Sequence, residues 1–111
     1  MPGTHNDAFL IVELSKLGAM IGLPDAAETI LADDFDPDAV ELSDRPIRVV
    51  LGFFETVGTL VENGLLDRDL VNDWVWVPGI WARVGPAAKR ARERLGADNL
   101  YENMEALAAA G

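Results

Sequence analysis

The feature that most constrains the fold is the apolar stretch at residues 47–66. Its apolar positions follow the i, i+3, i+4, i+7 spacing of one helical face: 47, 50, 51, 54, 57, 58, 61 and 65. Val49, Phe53 and Leu60 add a second apolar flank, so the pattern predicts a helix buried on more than one side. A buried strand over residues 49–54 is the competing interpretation, and the helical spacing on both sides of those residues disfavours it.

One charged residue, Glu55, interrupts this apolar helix. A carboxylate among apolar side chains must be paired, or neutral with a raised pKa. A later helix offers Arg83, Arg92 and Arg94 as partners. We therefore expect a structural ion pair between Glu55 and an arginine such as Arg92 or Arg83. The alternative is a pocket in which Glu55 and an arginine bind a ligand or serve a reaction.

Cap and breaker residues delimit the other helices. The first is predicted to begin near Thr4 or Asn6 and to end at Gly22. Its inner stripe is predicted to be Leu10, Leu14, Leu17 and Ile21, with Phe9 beside it. The remaining helices are predicted to begin at Pro24, at Ser43 or Asp44, after Asp67, at Pro78 and near Asn99. The chain is therefore predicted to be all-α, a single-domain bundle of five or six helices over residues 7–110, after a flexible tail at 1–6.

Composition excludes several classes of function. The net charge of −10 argues against a nucleic-acid-binding protein, because phosphate contacts require clustered Lys and Arg. The acidic excess lies mainly in residues 1–46, which contain only Lys16 and Arg45 as basic residues. The basic strip of the fifth helix (Arg83, Lys89, Arg90, Arg92 and Arg94) is expected to offset the charge of these acids, in the same chain or in a second copy. The lack of cysteine, of a recognisable secretory signal and of a spanning segment favours a cytoplasmic protein.

The sequence offers little for catalysis. The only histidine, His5, lies in the predicted tail, and no nucleophile motif is present. Asp34, Asp36 and Asp38 alternate like the first ligands of a calcium loop, but Ala39 and Arg45 occupy the positions that need Gly and Glu. We therefore expect no enzyme activity, no metal and no cofactor. Any activity would depend on carboxylates alone.

Three tryptophans, Trp74, Trp76 and Trp81, surround the predicted helix break at Pro78. Their spacing does not allow them to share one helical face. Trp74 and Trp81 fit inner faces, which leaves Trp76 as the exposed ring. One interpretation is an ordinary core with one exposed ring. The other is an apolar patch of Trp76, Val77 and Ile80 that contacts a second copy or a protein partner.

An ordered series of short motifs provides a resemblance over about residues 45–109. The motifs are Phe53-Phe54-Glu55-x-x-Gly58, Gly64-Leu65-Leu66-Asp67-x-x-Leu70-Val71, Trp81, Arg92 and Tyr101-Glu102-Asn103-Met104-Glu105-x-Leu107. The series resembles a bacterial family of small all-helical domains of unknown function. Many members of that family follow an N-terminal membrane helix, which we do not find in this sequence, and an aromatic residue usually stands where this chain has Met104. The resemblance implies that Glu55, Trp81, Arg92 and Glu105 share one interior arrangement. It implies no catalytic residue.

These observations support three hypotheses. The first is a non-catalytic helical protein–protein interaction module, self-associating through the patch near Trp76. The second is a small-molecule-binding bundle with a pocket formed by Glu55 and an arginine. The third, least favoured, is a carboxylate-based enzyme.

Overall fold

The computed structural model describes residues 4–110, and these residues form six helices and no strand. The helices are α1 (His5–Ile21), α2 (Leu23–Leu31), α3 (Arg45–Glu62), α4 (Arg68–Trp74), α5 (Val77–Leu95) and α6 (Glu102–Ala110). The radius of gyration is 13.7 Å, close to the roughly 13 Å of a compact domain of this length. The predicted all-α bundle is confirmed.

Local cap residues set several of the helix ends. The Thr4 hydroxyl accepts a hydrogen bond from the Asp7 backbone N–H, and the Asp7 carboxylate accepts one from the Thr4 N–H, which forms a capping box. Gly22 and Gly96 end α1 and α5 in the left-handed conformation, at φ 83° and 64°. The predicted tail at 1–6 is too long at its C-terminal end, because α1 already begins at His5. Its residues 1–3 lie outside the described residues.

Helix α3 is the centre of the core. Its buried side chains include Ile47, Val50, Leu51, Phe54 and Val57, each at most a few per cent exposed. It packs most extensively against α6 and α2, and also against α5. Helix α2 occupies one of its flanks, and α1 lies at the edge of the bundle, where it packs mainly on α2.

The acidic loop between α2 and α3 is held by the basic strip of α5, as expected. Arg90 donates hydrogen bonds to the carbonyls of Pro37 and Val40, and Arg83 to those of Ala32 and Phe35. Arg94 reaches the Glu41 carboxylate at 3.4 Å. Most of these contacts are made with backbone carbonyls rather than acidic side chains, so the arginines fix the path of the loop as well as offset its charge.

Candidate functional site

Glu55 lies half-buried on α3 and contacts the first turn of α6. Its Oε1 accepts a hydrogen bond from the Met104 backbone N–H at 2.8 Å. Met104 is the third residue of α6, and the first N–H groups of a helix have no partner within the helix. The carboxylate therefore caps α6 from another helix, at the end where the helix dipole favours negative charge.

The predicted ion pair of Glu55 is wrong. Among the described residues Glu55 pairs with neither Arg83 nor Arg92. Arg83 binds loop carbonyls, and Arg92 forms a salt bridge with Glu105 at 2.9 Å and donates its Nε–H to the Leu100 carbonyl at 2.7 Å. The helix N-terminus provides what the arginine was expected to supply, because an N–H donor and a partial positive charge both stabilise a carboxylate.

Gly58, one turn after Glu55, allows the backbone of α6 to approach α3. A Cβ atom on Gly58 would overlap the carbonyl group of Asn103 and stand 3.0 Å from the Met104 nitrogen. The Asn103 amide donates to the Thr59 hydroxyl at 3.1 Å from the same side. The motif Phe54-Glu55-x-x-Gly58 thus forms a docking site for the first turn of α6, which we call the α6 junction (Glu55, Gly58, Thr59, Asn103 and Met104).

Tyr101 precedes α6 and adopts a left-handed conformation with φ 59°, which is uncommon for a residue with a side chain. The helix predicted to begin near Asn99 begins at Glu102, after a backbone turn in which the Asn99 carbonyl accepts from the Glu102 N–H at 3.1 Å. Burial raises the pKa of Tyr101. The negative charge of Glu55 raises it further, and Arg48 acts in the opposite direction.

Arg92 connects the remaining motif residues. Besides its bonds to Glu105 and Leu100, its guanidinium lies over the Trp81 ring, 5.9 Å from the ring centre. The Arg92 side chain is largely shielded from solvent at 15% exposed, the Glu105 side chain is 38% exposed, and Met104 is fully buried. The expected arrangement of Glu55, Trp81, Arg92 and Glu105 is present only in part. Arg92 contacts Trp81 and Glu105, whereas Glu55 contacts the first turn of α6 and none of these three.

This junction fits a structural role better than a reactive one. Glu55 Oε1 accepts from a backbone N–H, and Arg92 uses Nη1 and Nε to bind a carboxylate and a carbonyl, while its buried Nη2 has no partner among the described residues. Within residues 4–110, no group of three or more His, Asp or Glu side chains lies close enough to hold a metal ion. The chemistry that the arrangement supports is helix capping.

The predicted patch of Trp76, Val77 and Ile80 is only partly present. Trp76 is 70% exposed as expected, but Val77 is 0% and Ile80 7% exposed. The reason is the phase of α5, which begins at Val77 and turns both residues into the core. Trp76 lies instead over Gly79, beside an open groove of about 570 Å³ that is also lined by Leu31, Pro78, Ala82 and Arg83. We call these residues the Trp76 groove.

A second exposed apolar surface lies on α1. Phe9 is 62%, Val12 53%, Leu17 41% and Met20 83% exposed. Phe9, Val12 and Met20 lie on the side of the helix that faces away from the core, and Leu17 lies at the flank, where it lines a groove with Val49 and Phe53 of α3. We had placed Leu17 in the inner stripe and Phe9 beside it. Leu14 alone of the large side chains of α1 is buried, with Leu10, Ile11 and Ile21 partly covered. The signal in the sequence was that apolar residues surround this helix, which a single core contact does not explain. We call Phe9, Val12, Leu17 and Met20 the α1 outer face.

Fold and junction together define a small all-helical domain in which the charged motif residues hold the last helix to the central one. Residues 7–110 match the family model described as Domain of unknown function (DUF4760), and the chain belongs to this family. No curated protein and no solved structure matches the chain. Between residues 4 and 110, none of the helices has the length and apolar character needed to cross a membrane.

Proposed function

We propose that this domain is a non-catalytic protein–protein interaction module that self-associates. The observation that carries the proposal is the α1 outer face, four large apolar side chains that are 41% to 83% exposed. Groups of exposed large apolar side chains are typical of contact sites. The exposed Trp76 beside its groove is a second surface suited to a partner, since tryptophan is enriched among residues that dominate binding energy.

The contacts of Glu55 and Asp7 support a non-catalytic role for these two carboxylates. Glu55 accepts from the Met104 N–H, and Asp7 accepts from the N–H groups of Thr4 and Asp67. A general base requires a carboxylate that can reach a substrate proton, and these two are engaged by the backbone. The same contacts weaken the hypothesis of a Glu55 ligand pocket, because both a ligand and α6 would compete for one carboxylate. A cysteine-free composition favours the cytoplasm as the location in this proposal.

Light scattering across a dilution series tests the proposal. We expect an average mass near twice the 12.0 kDa of the chain at high concentration, falling towards one chain on dilution. A mass of one chain at every concentration would contradict self-association. A doubled mass would not be an effect of net charge, because two copies with a net charge of −10 each repel one another.

A further inference from the structure

The inference concerns the α1 outer face and rests on the proposed self-association. Successive residues of an α-helix are rotated by about 100°, so Phe9, Lys16 and Met20 fall on nearly one line along α1 and Glu13 lies beside that line. Val12 and Leu17 occupy the two flanks. The stripe therefore has apolar ends and an oppositely charged pair in the middle, with Lys16 Nζ 3.2 Å from Glu13 Oε1.

The order of these residues along the helix is symmetrical. Phe9 and Met20 are equally distant from the point midway between Leu14 and Ser15, and so are Glu13 and Lys16. When a second copy of the helix lies antiparallel across a two-fold axis through this midpoint, Phe9 faces Met20 of the second copy and Glu13 faces Lys16 of the second copy. Each charge then meets its opposite, and each large apolar side chain meets another.

The charges of Glu13 and Lys16 favour the antiparallel pair over a parallel pair and over contact with an acyl-chain surface. In a parallel pair Glu13 would face Glu13 and Lys16 would face Lys16, which is unfavourable twice over. An acyl-chain surface would bury both charges without new partners. We infer that the α1 outer face is a homodimer contact in which α1 pairs antiparallel with α1 of a second copy.

Helix α1 is attached to the bundle through its inner side, so its outer face is available for contact with a second copy. Asp7 Oδ1 accepts from the Asp67 N–H at 3.0 Å, and Gly18 lies against Leu23 and the Phe53 ring. These contacts position α1 on the bundle through residues that point away from the stripe. Association would therefore need no rearrangement of the core, and the exposed fractions of Phe9 and Met20 would fall on binding.

Truncating Phe9 and Met20 tests whether the dimer forms through the α1 outer face or through the Trp76 groove. We expect Phe9→Ser with Met20→Ser to weaken the dimer about 100-fold or more, because two anchor side chains are lost at once. Trp76→Ala is the matched control, since it removes an equally exposed aromatic ring and should leave the dissociation constant within a factor of about three. Circular dichroism should show that both variants remain folded, because the replaced side chains lie outside the core.

A dimer that survives the double truncation and dissociates on Trp76→Ala would overturn this inference and leave the proposed self-association standing. A wild-type chain that is monomeric throughout would overturn the self-association itself.

Charge variants test the antiparallel direction. Glu13→Lys gives a stripe with two basic residues, and Lys16→Glu gives one with two acidic residues. Each variant alone should dimerise about tenfold more weakly, whereas an equimolar mixture should form the heterodimer preferentially. Both variants lose the ion pair within the helix, so that loss cannot account for rescue by mixing. Self-association of each variant as tight as the wild type, or a mixture that behaves as the average of its components, would overturn the inference.

Discussion

The two terminal helices, α1 and α6, attach to the same bundle in different ways. Helix α6 is short, its Met104 and Leu107 are fully buried, and its first turn is capped by Glu55 of another helix. Helix α1 is about twice as long, caps itself through Thr4 and Asp7, and buries only Leu14 among its large side chains.

This difference predicts that the two helices contribute to different properties of the domain: α6 to its folding stability and α1 to its association with a second copy. A helix of nine residues is not stable alone in water, so α6 forms because α3 supplies its cap and its buried surface. Helix α1 needs less from the core and leaves an apolar face uncovered. We therefore expect changes at the α6 junction to alter the free energy of unfolding, and changes on the α1 outer face to alter association instead.

The largest effect on unfolding is expected at Gly58. Gly58→Ala places a methyl group against the backbone of Asn103, which has no side-chain freedom to move aside. We expect a loss of about 2–3 kcal/mol in the free energy of unfolding, measured by chemical denaturation. Gly52→Ala on the same helix is the control. Nothing lies within 4 Å of its added Cβ, and we expect a gain of about 0.5–1 kcal/mol from helix propensity. Equal losses for both variants would contradict the close packing of α6.

The next effect is expected at Glu55. Glu55→Ala removes the cap of α6 and should cost about 1–2 kcal/mol, the usual range for a helix N-terminal cap. Glu55→Gln keeps an acceptor for the Met104 N–H and should cost less. Amide hydrogen exchange gives the local test, because exchange at Met104 should accelerate in Glu55→Ala while the centre of α3 changes less. Unchanged protection at Met104 would show that Glu55 is not its cap.

Tyr101 reports the charge of Glu55. Burial and the Glu55 charge both raise the pKa of Tyr101 above its usual value of 10.0, with Arg48 opposing. Because the proton is held more tightly in the folded chain, the associated stability is present at neutral pH and is lost as the pH rises through the folded pKa. Glu55→Gln should lower this pKa. The chain has one tyrosine, so tyrosinate absorbance measures it directly. A pKa that does not change would place Glu55 away from Tyr101.

The smallest effect is expected at Asp7. Its hydrogen bond with the Thr4 side chain, helped by the N–H groups of Asp67 and Thr4, lowers the pKa of Asp7 below its usual 3.8, although burial acts against this. The stability linked to this lowered pKa is present above 3.8 and is lost as the pH falls through the folded value. Asp7→Ala should remove that part of the acid dependence. An acid unfolding curve with unchanged pH dependence would contradict the hydrogen bonds of Asp7.

Helix ends were predictable because their signals are local. Thr4 with Asp7, Gly22, Asp67 and Gly96 each act within a few residues. Helix α1 begins and ends, and α4 begins, where the sequence predicts. The partner of Glu55 was not predictable, because a backbone N–H is present at every residue except proline and leaves no trace in the sequence. The prediction that Glu55 pairs with an arginine therefore did not include the backbone N–H of Met104, which lies 49 residues away.

Surface assignments failed where they depended on helix phase or on tertiary position. Val77 and Ile80 are buried because α5 begins at Val77, and a small change in that start rotates both residues. Phe9 and Leu17 are exposed because α1 lies at the edge of the bundle, which the pattern of a single helix does not encode. Exposure of Trp76 was predictable because Trp74 and Trp81 fit the inner faces of their helices, and the three rings cannot share one face.

Methionine methyl NMR compares α1 and α6 within one spectrum. Met20 is 83% exposed on the α1 outer face, and Met104 is 0% exposed in the α6 junction. In a dilution series we predict that the Met20 methyl signal shifts as the dimer dissociates while the Met104 signal stays in place. A Met20 signal that does not change while the Trp76 indole signal shifts would contradict the assignment of self-association to α1.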